Sequence, residues 1–204
     1  MAELGSRAIG EALDVLASQG EPAAAGVASA ITAAAAAGVV ELAAGLAAKR
    51  VTEQGRNDDA DRMRELVQQA GKLRARLLAA GDEDARAYAR VTKARAGHGR
   101  DRALDRASDP PLAIAEGAAG VAERAAEVAD AGDWSFTADA VVAGELAAAA
   151  ARGCAQLVEA NLAGEPGDPR PARARAAADL AERASRNAAD GARTRRSTVD
   201  SATG

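Results

Sequence analysis

Apolar positions recur along this chain at three- and four-residue spacing, and no stretch alternates convincingly with period two. That pattern predicts helices rather than strands. Leu4 to Ser18 places Leu4, Ala8, Ala12, Val15 and Leu16 on one side and stops at Gln19-Gly20. Pro22 opens a much longer helix that runs to about Glu53, followed by an acidic turn from Gly55 to Asp59. A second long helix is expected from Asp61 to about Ala96, with Met63, Leu66, Val67, Leu73, Leu77, Leu78, Tyr88 and Val91 at helical spacing and a candidate bend at Gly81-Asp82. Gly97-His98-Gly99 reads as a loop. The next helical region is interrupted at Pro110-Pro111, because proline lacks a donor and clashes with the preceding turn. It resumes to Asp130. After the connection Ala131 to Ser135, a helix capped by Ser135 or Thr137 runs to about Leu162. Gly164 to Pro169 is a strong break, and Arg170 to Arg193 forms a last, highly charged helix. The predicted fold class is all-α: an antiparallel bundle of long helices, one domain over 1–195 with a disordered tail at 196–204.

Between Pro22 and Ala48 alanine dominates and Glu41 is the sole charged residue. The stretch is long enough to span a bilayer or to form a coiled-coil seam. Alanine is weakly hydrophobic, however, and Glu41 inside a membrane would cost about 3 kcal/mol. No basic segment precedes it, as a signal peptide would require. The expectation is a cytoplasmic chain without a membrane span, its central helix packed on most sides by other helices whose backbones approach closely over small residues.

Composition agrees with helices. Of 204 residues, 48% are apolar and 27% charged, and Tyr88, Trp134 and Phe136 are the only aromatics. Sheets draw on aromatic and β-branched residues; this chain is rich in Ala, Leu, Arg and Glu, which favour helix. A net charge of −4 gives no reason to expect a nucleic-acid partner. Cys154 stands alone, which excludes an internal disulfide, and reads as a small buried hydrophobe. No phosphate-binding loop, zinc motif or nucleophile elbow occurs, and no metal is expected. His98, between two glycines, reads as solvated. Asp58, Asp59 and Asp61 suit a helix N-terminus.

Five segments, in order, carry a family resemblance. Asp82 to Val91 is similar to a D-x-A-Y-x-x-V motif through Asp84, Ala87, Tyr88 and Val91. Ala107 to Ala113, with Pro110-Pro111-Leu112, is similar to an A-x-x-P-L segment. Gly132-Asp133 through Ala138-Asp139-Ala140 resembles G-N-x-x-x-x-S-D-A. Gly153 to Leu162, with Val158 and Asn161, resembles G-A-x-x-N-V-x-x-N-L. Thr52 to Arg56 resembles a T-x-G-K turn. Together they resemble the cyclodeaminase/cyclohydrolase family over roughly Leu4 to Arg193. The pattern also departs from that family. Where a proline is followed by a glycine-rich helix start, this chain has Pro22 and then Ala23-Ala24-Ala25-Gly26. Asp133 replaces an asparagine, Ala138 a serine, Arg56 a lysine and Leu157 an asparagine.

The resemblance implies a cyclodeaminase-like helical fold, a homodimer, and chemistry on a one-carbon unit carried by a tetrahydrofolate derivative as substrate. It points to methenyltetrahydrofolate cyclohydrolase or formiminotetrahydrofolate cyclodeaminase activity. Carboxylates suit that work, since they accept and deliver protons and stabilise a cationic methenyl carbon. Asp139 and Asp84 are the catalytic candidates. Arg56, Tyr88, Asp133, Trp134, Phe136 and Asn161 are candidates for binding substrate, with the two rings as a stacking wall. Asp139 and Asn161 share one helix face but lie about 33 Å apart along it, so they serve one site only if a partner helix crosses over. Two further readings stand beside the folate enzyme: a relative doing imine or amidine chemistry on another substrate, and a non-catalytic dimeric ligand-binding bundle.

Overall fold

The computed structural model describes residues 9–18, 25–94, 97–131 and 134–202; the side chains at 131–135 and beyond 193 lie outside that description. Every regular element among the described residues is a helix: α1 (Ile9–Ala17), α2 (Ala25–Glu53), α3 (Asn57–Lys93), α4 (His98–Arg106), α5 (Asp109–Ala131), α6 (Trp134–Asn161) and α7 (Arg170–Ala202). The long alanine helix α2 packs against α3, α5 and α6, while α7 closes over α5 and α6.

Alanine builds the interior. Ala36, Ala37, Ala43, Ala44 and Ala47 of α2 have no exposed surface, and the larger fully buried side chains are few, among them Met63, Leu66, Leu77 and Ile114. Alanine has the highest helix propensity and loses no rotamer freedom on burial. Each methyl contributes little, so the core is stabilised by many close contacts between helices rather than by a few large side chains. α2 and residues 136–161 are each long and apolar enough to cross a membrane, yet half of the most apolar window in each is buried within the bundle. Glu41, the charge within α2, accepts a 2.6 Å bond from Arg74 Nε on α3.

The boundaries differ from the sequence reading in instructive places. Pro110 and Pro111 open α5 instead of interrupting a helix. In a first turn the missing amide donors have no intrahelical acceptor to lose, so proline is tolerated there. His98 begins the short α4. α3 continues without a break through Gly81-Asp82, and α7 runs past Arg193 to Ala202. The turn between α2 and α3 uses Gly55 at φ 75°, a left-handed conformation that glycine adopts without a Cβ penalty.

Two clips hold the short α4 and the start of α5 to the rest. Asn161 Nδ2, at the end of α6, donates to the Ala107 carbonyl at 3.0 Å. Arg170, opening α7, bonds Asp168, the Asp105 side chain and carbonyl, and Asp109. These carboxylates hold the Arg170 guanidinium in its charged form well above the usual arginine range.

Candidate functional site

The first turn of α2 has amide donors without intrahelical partners. Pro22, Ala23 and Ala24 just ahead of it carry no side chain able to cap them. The acceptor comes from another helix: the Val27 amide donates to the carboxylate of Asp84 on α3. Asp84 is only 7% exposed. Gly26 makes the approach possible, because a Cβ on that residue would overlap the Asp84 carboxylate. Among the described residues no arginine pairs with Asp84; burial dominates and pushes its carboxyl up to about 6, with the Val27 bond pulling the other way.

α6 completes the surroundings. The Ser29 hydroxyl lies 3.3 Å from where a Cβ on Gly153 would stand, and it hydrogen-bonds the buried Cys154 thiol. Burial pushes that thiol up to about 12, against the Ser29 bond, with the nearby Asp84 charge adding to the rise. Cys154 is therefore a neutral wall rather than a nucleophile. Tyr88, one turn beyond Asp84 on α3, is 43% exposed.

The remaining candidates sit elsewhere. Ser29 is near the start of α2 and Gly153 near the end of α6, so their contact makes these two helices antiparallel. Asp139 lies 14 residues before Gly153, about 21 Å away along α6, and is exposed. Arg56 precedes α3 and donates through Nε to Asp59 Oδ2 at 2.7 Å. It stands about 42 Å along α3 from Asp84. Phe136 is half-buried and packs against the core. Trp134 opens α6, but its side chain, like all of Asp133, lies outside the described residues. The structure thus brings Asp84, Tyr88 and the α6 end bearing Asn161 to one end of the bundle. Arg56, Phe136 and Asp139 belong to the other.

Sequence reasoning overlooked Gly26 and Ser29. The signal was present in the single glycine that survives after Ala23-Ala24-Ala25. Its meaning depends on a carboxylate 58 residues away. Among the described residues, no three His, Cys, Asp or Glu side chains gather as a metal ion would need.

A model of the formiminotransferase-cyclodeaminase family matches residues 8–179. The crystal structure of formiminotetrahydrofolate cyclodeaminase from Thermotoga maritima is similar to this chain with a TM-score of 0.82, covering 97% of this chain and 99% of that one at 18% identity. That likeness is one of fold. No curated protein matches the sequence.

Proposed function

The chain belongs to the formiminotransferase-cyclodeaminase family, and from that premise we propose that it performs C–N chemistry on a tetrahydrofolate-borne one-carbon unit, as a methenyltetrahydrofolate cyclohydrolase or a formiminotetrahydrofolate cyclodeaminase. The observation that carries this reading is Asp84 of α3, buried against the first turn of α2, with its carboxyl raised to about 6. A group titrating near neutrality works in both directions. In ring opening, the ionised Asp84 takes a proton from the water that attacks the methenyl carbon and returns it to the ring nitrogen released as the C–N bond breaks. In ring closure, it takes the proton of the folate nitrogen that attacks the formimino carbon and delivers it to the amine that leaves. Tyr88, one turn along the same helix, borders the pterin.

Asp139 enters this reading through a second copy of the chain. Asp139, Val142 and Leu146 recur at helical spacing on α6; Val142 is 53% exposed and Leu146 36%. The antiparallel register with α2 sets Leu42, 56% exposed, at nearly the level of Val142. This apolar face suits a twofold homodimer centred near Leu146. Such a dimer brings the partner copy's acid at this position to the level of Gly153, beside Asp84.

A second reading keeps the chemistry but changes the substrate to another imine or amidine. It is favoured by Ala23-Ala24-Ala25 replacing glycines just ahead of Gly26. Loss of the near-ultraviolet absorbance of 5,10-methenyltetrahydrofolate on adding the protein, absent with Asp84→Asn, supports the folate reading. No loss with a folded homodimer in hand moves the assignment to the second.

A further inference from the structure

A second feature lies one turn beyond Asp84. Ala87 and Arg90 of α3 and Ala94, just past its end, recur at three- and four-residue spacing. They face a stripe of α4 that carries Arg102, Ala103 and Arg106, and the two sets enclose a hollow of about 400 Å³. Beneath it Ala87 and Val91 of α3 pack against Ala103, Leu104 and Ala107, so the floor is apolar. The alanines keep the walls short, and Arg90, Arg102 and Arg106 line the space.

Among the described residues, no carboxylate forms an ion pair with these three arginines. Along the helices most arginines are laced to carboxylates, as Arg62 is to Glu127, Arg74 to Glu41 and Arg173 to Glu116. The two acids of α4 are directed elsewhere: Asp105 to Arg170, and Asp101 toward His98. Among the described residues, Arg102 meets only the His98 carbonyl, at 3.3 Å. Three permanent positive charges around one hollow repel each other, and the apolar floor weakens screening from below. An anion with several carboxylates relieves this, because each guanidinium offers paired donors matched to a carboxylate.

We infer that the hollow between α3 and α4 is a receptor for the glutamyl tail of the folate substrate, with Arg90, Arg102 and Arg106 as its carboxylate-binding residues. This rests on the folate reading of Asp84. Ala87, which lines the hollow, stands three residues past Asp84, about 4.5 Å along α3, so a ligand whose pterin is at Asp84 extends its p-aminobenzoyl-glutamate end toward the arginines.

The test uses p-aminobenzoyl-triglutamate, which lacks the pterin and the reactive carbon, in isothermal titration at fixed ionic strength. The full chain is expected to bind it, and Arg102→Gln/Arg106→Gln, with unchanged circular dichroism, to bind it about tenfold more weakly. Arg90→Gln is expected to weaken it too, and Asp84→Asn to leave it unchanged. Absence of binding, or equal affinity in the arginine variants, overturns the receptor. Displacement by equimolar inorganic phosphate overturns its assignment to a carboxylate tail. Turnover of methenyltetrahydrofolate without tail binding sinks the receptor alone; tail binding without turnover sinks the Asp84 reading alone.

Discussion

Gly26 and Asp84 are fitted to each other: the carboxylate of one occupies the space where a side chain on the other would begin. The Val27 amide then holds that carboxylate against the start of α2. Gly26→Ala is expected to push Asp84 off the helix end. Displacement of a catalytic group by about 1 Å costs about a hundredfold in kcat/KM. Alanine meanwhile improves helix propensity by up to about 1 kcal/mol, so the melting temperature is expected to change little. Full activity in this variant would show that the seat is not needed.

Asp84→Asn separates catalysis from stability. The folded-state value of about 6 lies above the ordinary 3.8, so between about pH 4 and 6 the folded chain holds this proton more tightly than the unfolded chain. The stabilisation is complete below pH 4 and lost as pH rises through 6, by up to about 3 kcal/mol for this one group. Asparagine removes the charge and keeps an oxygen for the Val27 amide. Denaturant titrations at pH 4 and pH 8 are expected to show the variant more stable than the parent at pH 8, with the difference gone at pH 4, and turnover absent at both. In the parent, kcat/KM is expected to rise with pH through about 6 if ring opening uses the ionised acid.

If a site is shared between copies, two inactive variants are expected to repair each other. Asp84→Asn and Asp139→Asn, each inactive alone, are mixed under conditions that exchange subunits. Half the dimers are then mixed and hold one intact site each, so activity returns to about a quarter of the parent's. No recovery, with exchange verified by mass spectrometry, would place Asp139 outside the reaction.

Arg170 gathers acids from three segments around the end of α6. Asp105 and Asp109 remain more than half exposed, so solvent screening limits the effect of the cluster. Arg170→Ala is expected to cost about 1–2 kcal/mol in urea unfolding. Arg173→Ala, which breaks a single exposed pair with Glu116, is expected to cost less than about 0.5 kcal/mol. Equal losses would mean that the cluster acts as no more than separate surface pairs.

Much of the architecture was legible from local chemistry. The alanine run announced α2, Gly55 its end, and Gly164 to Pro169 the break before α7, because turn residues act where they stand. The prolines at 110 and 111 were misread, since a residue that ends one helix equally suits the first turn of the next. The site was harder. Motif order placed Arg56, Asp84, Asp139 and Asn161 in one chain but carried no distances, and helices this long separate what sequence similarity groups together. The importance of Gly26 depended on which residue of α3 faces it, and that comes from packing alone. Asn161 shows the converse: its amide is engaged by the Ala107 carbonyl, a contact no local pattern announces.

An interior assembled from methyl groups also reverses the usual logic of a mutational scan. Where Ala36, Ala43 and Ala47 meet other helices with no exposed surface, replacing a side chain by alanine has nothing to remove. Enlarging one forces whole helices apart, and overpacking of this kind typically costs about 1–3 kcal/mol per position. A scan with alanine would read little from α2 beyond Val27, Val40 and Val51, whereas a scan with leucine would trace the helix contacts of its alanines. The same geometry constrains drift between homologues: volume at these positions can grow only where a facing residue shrinks.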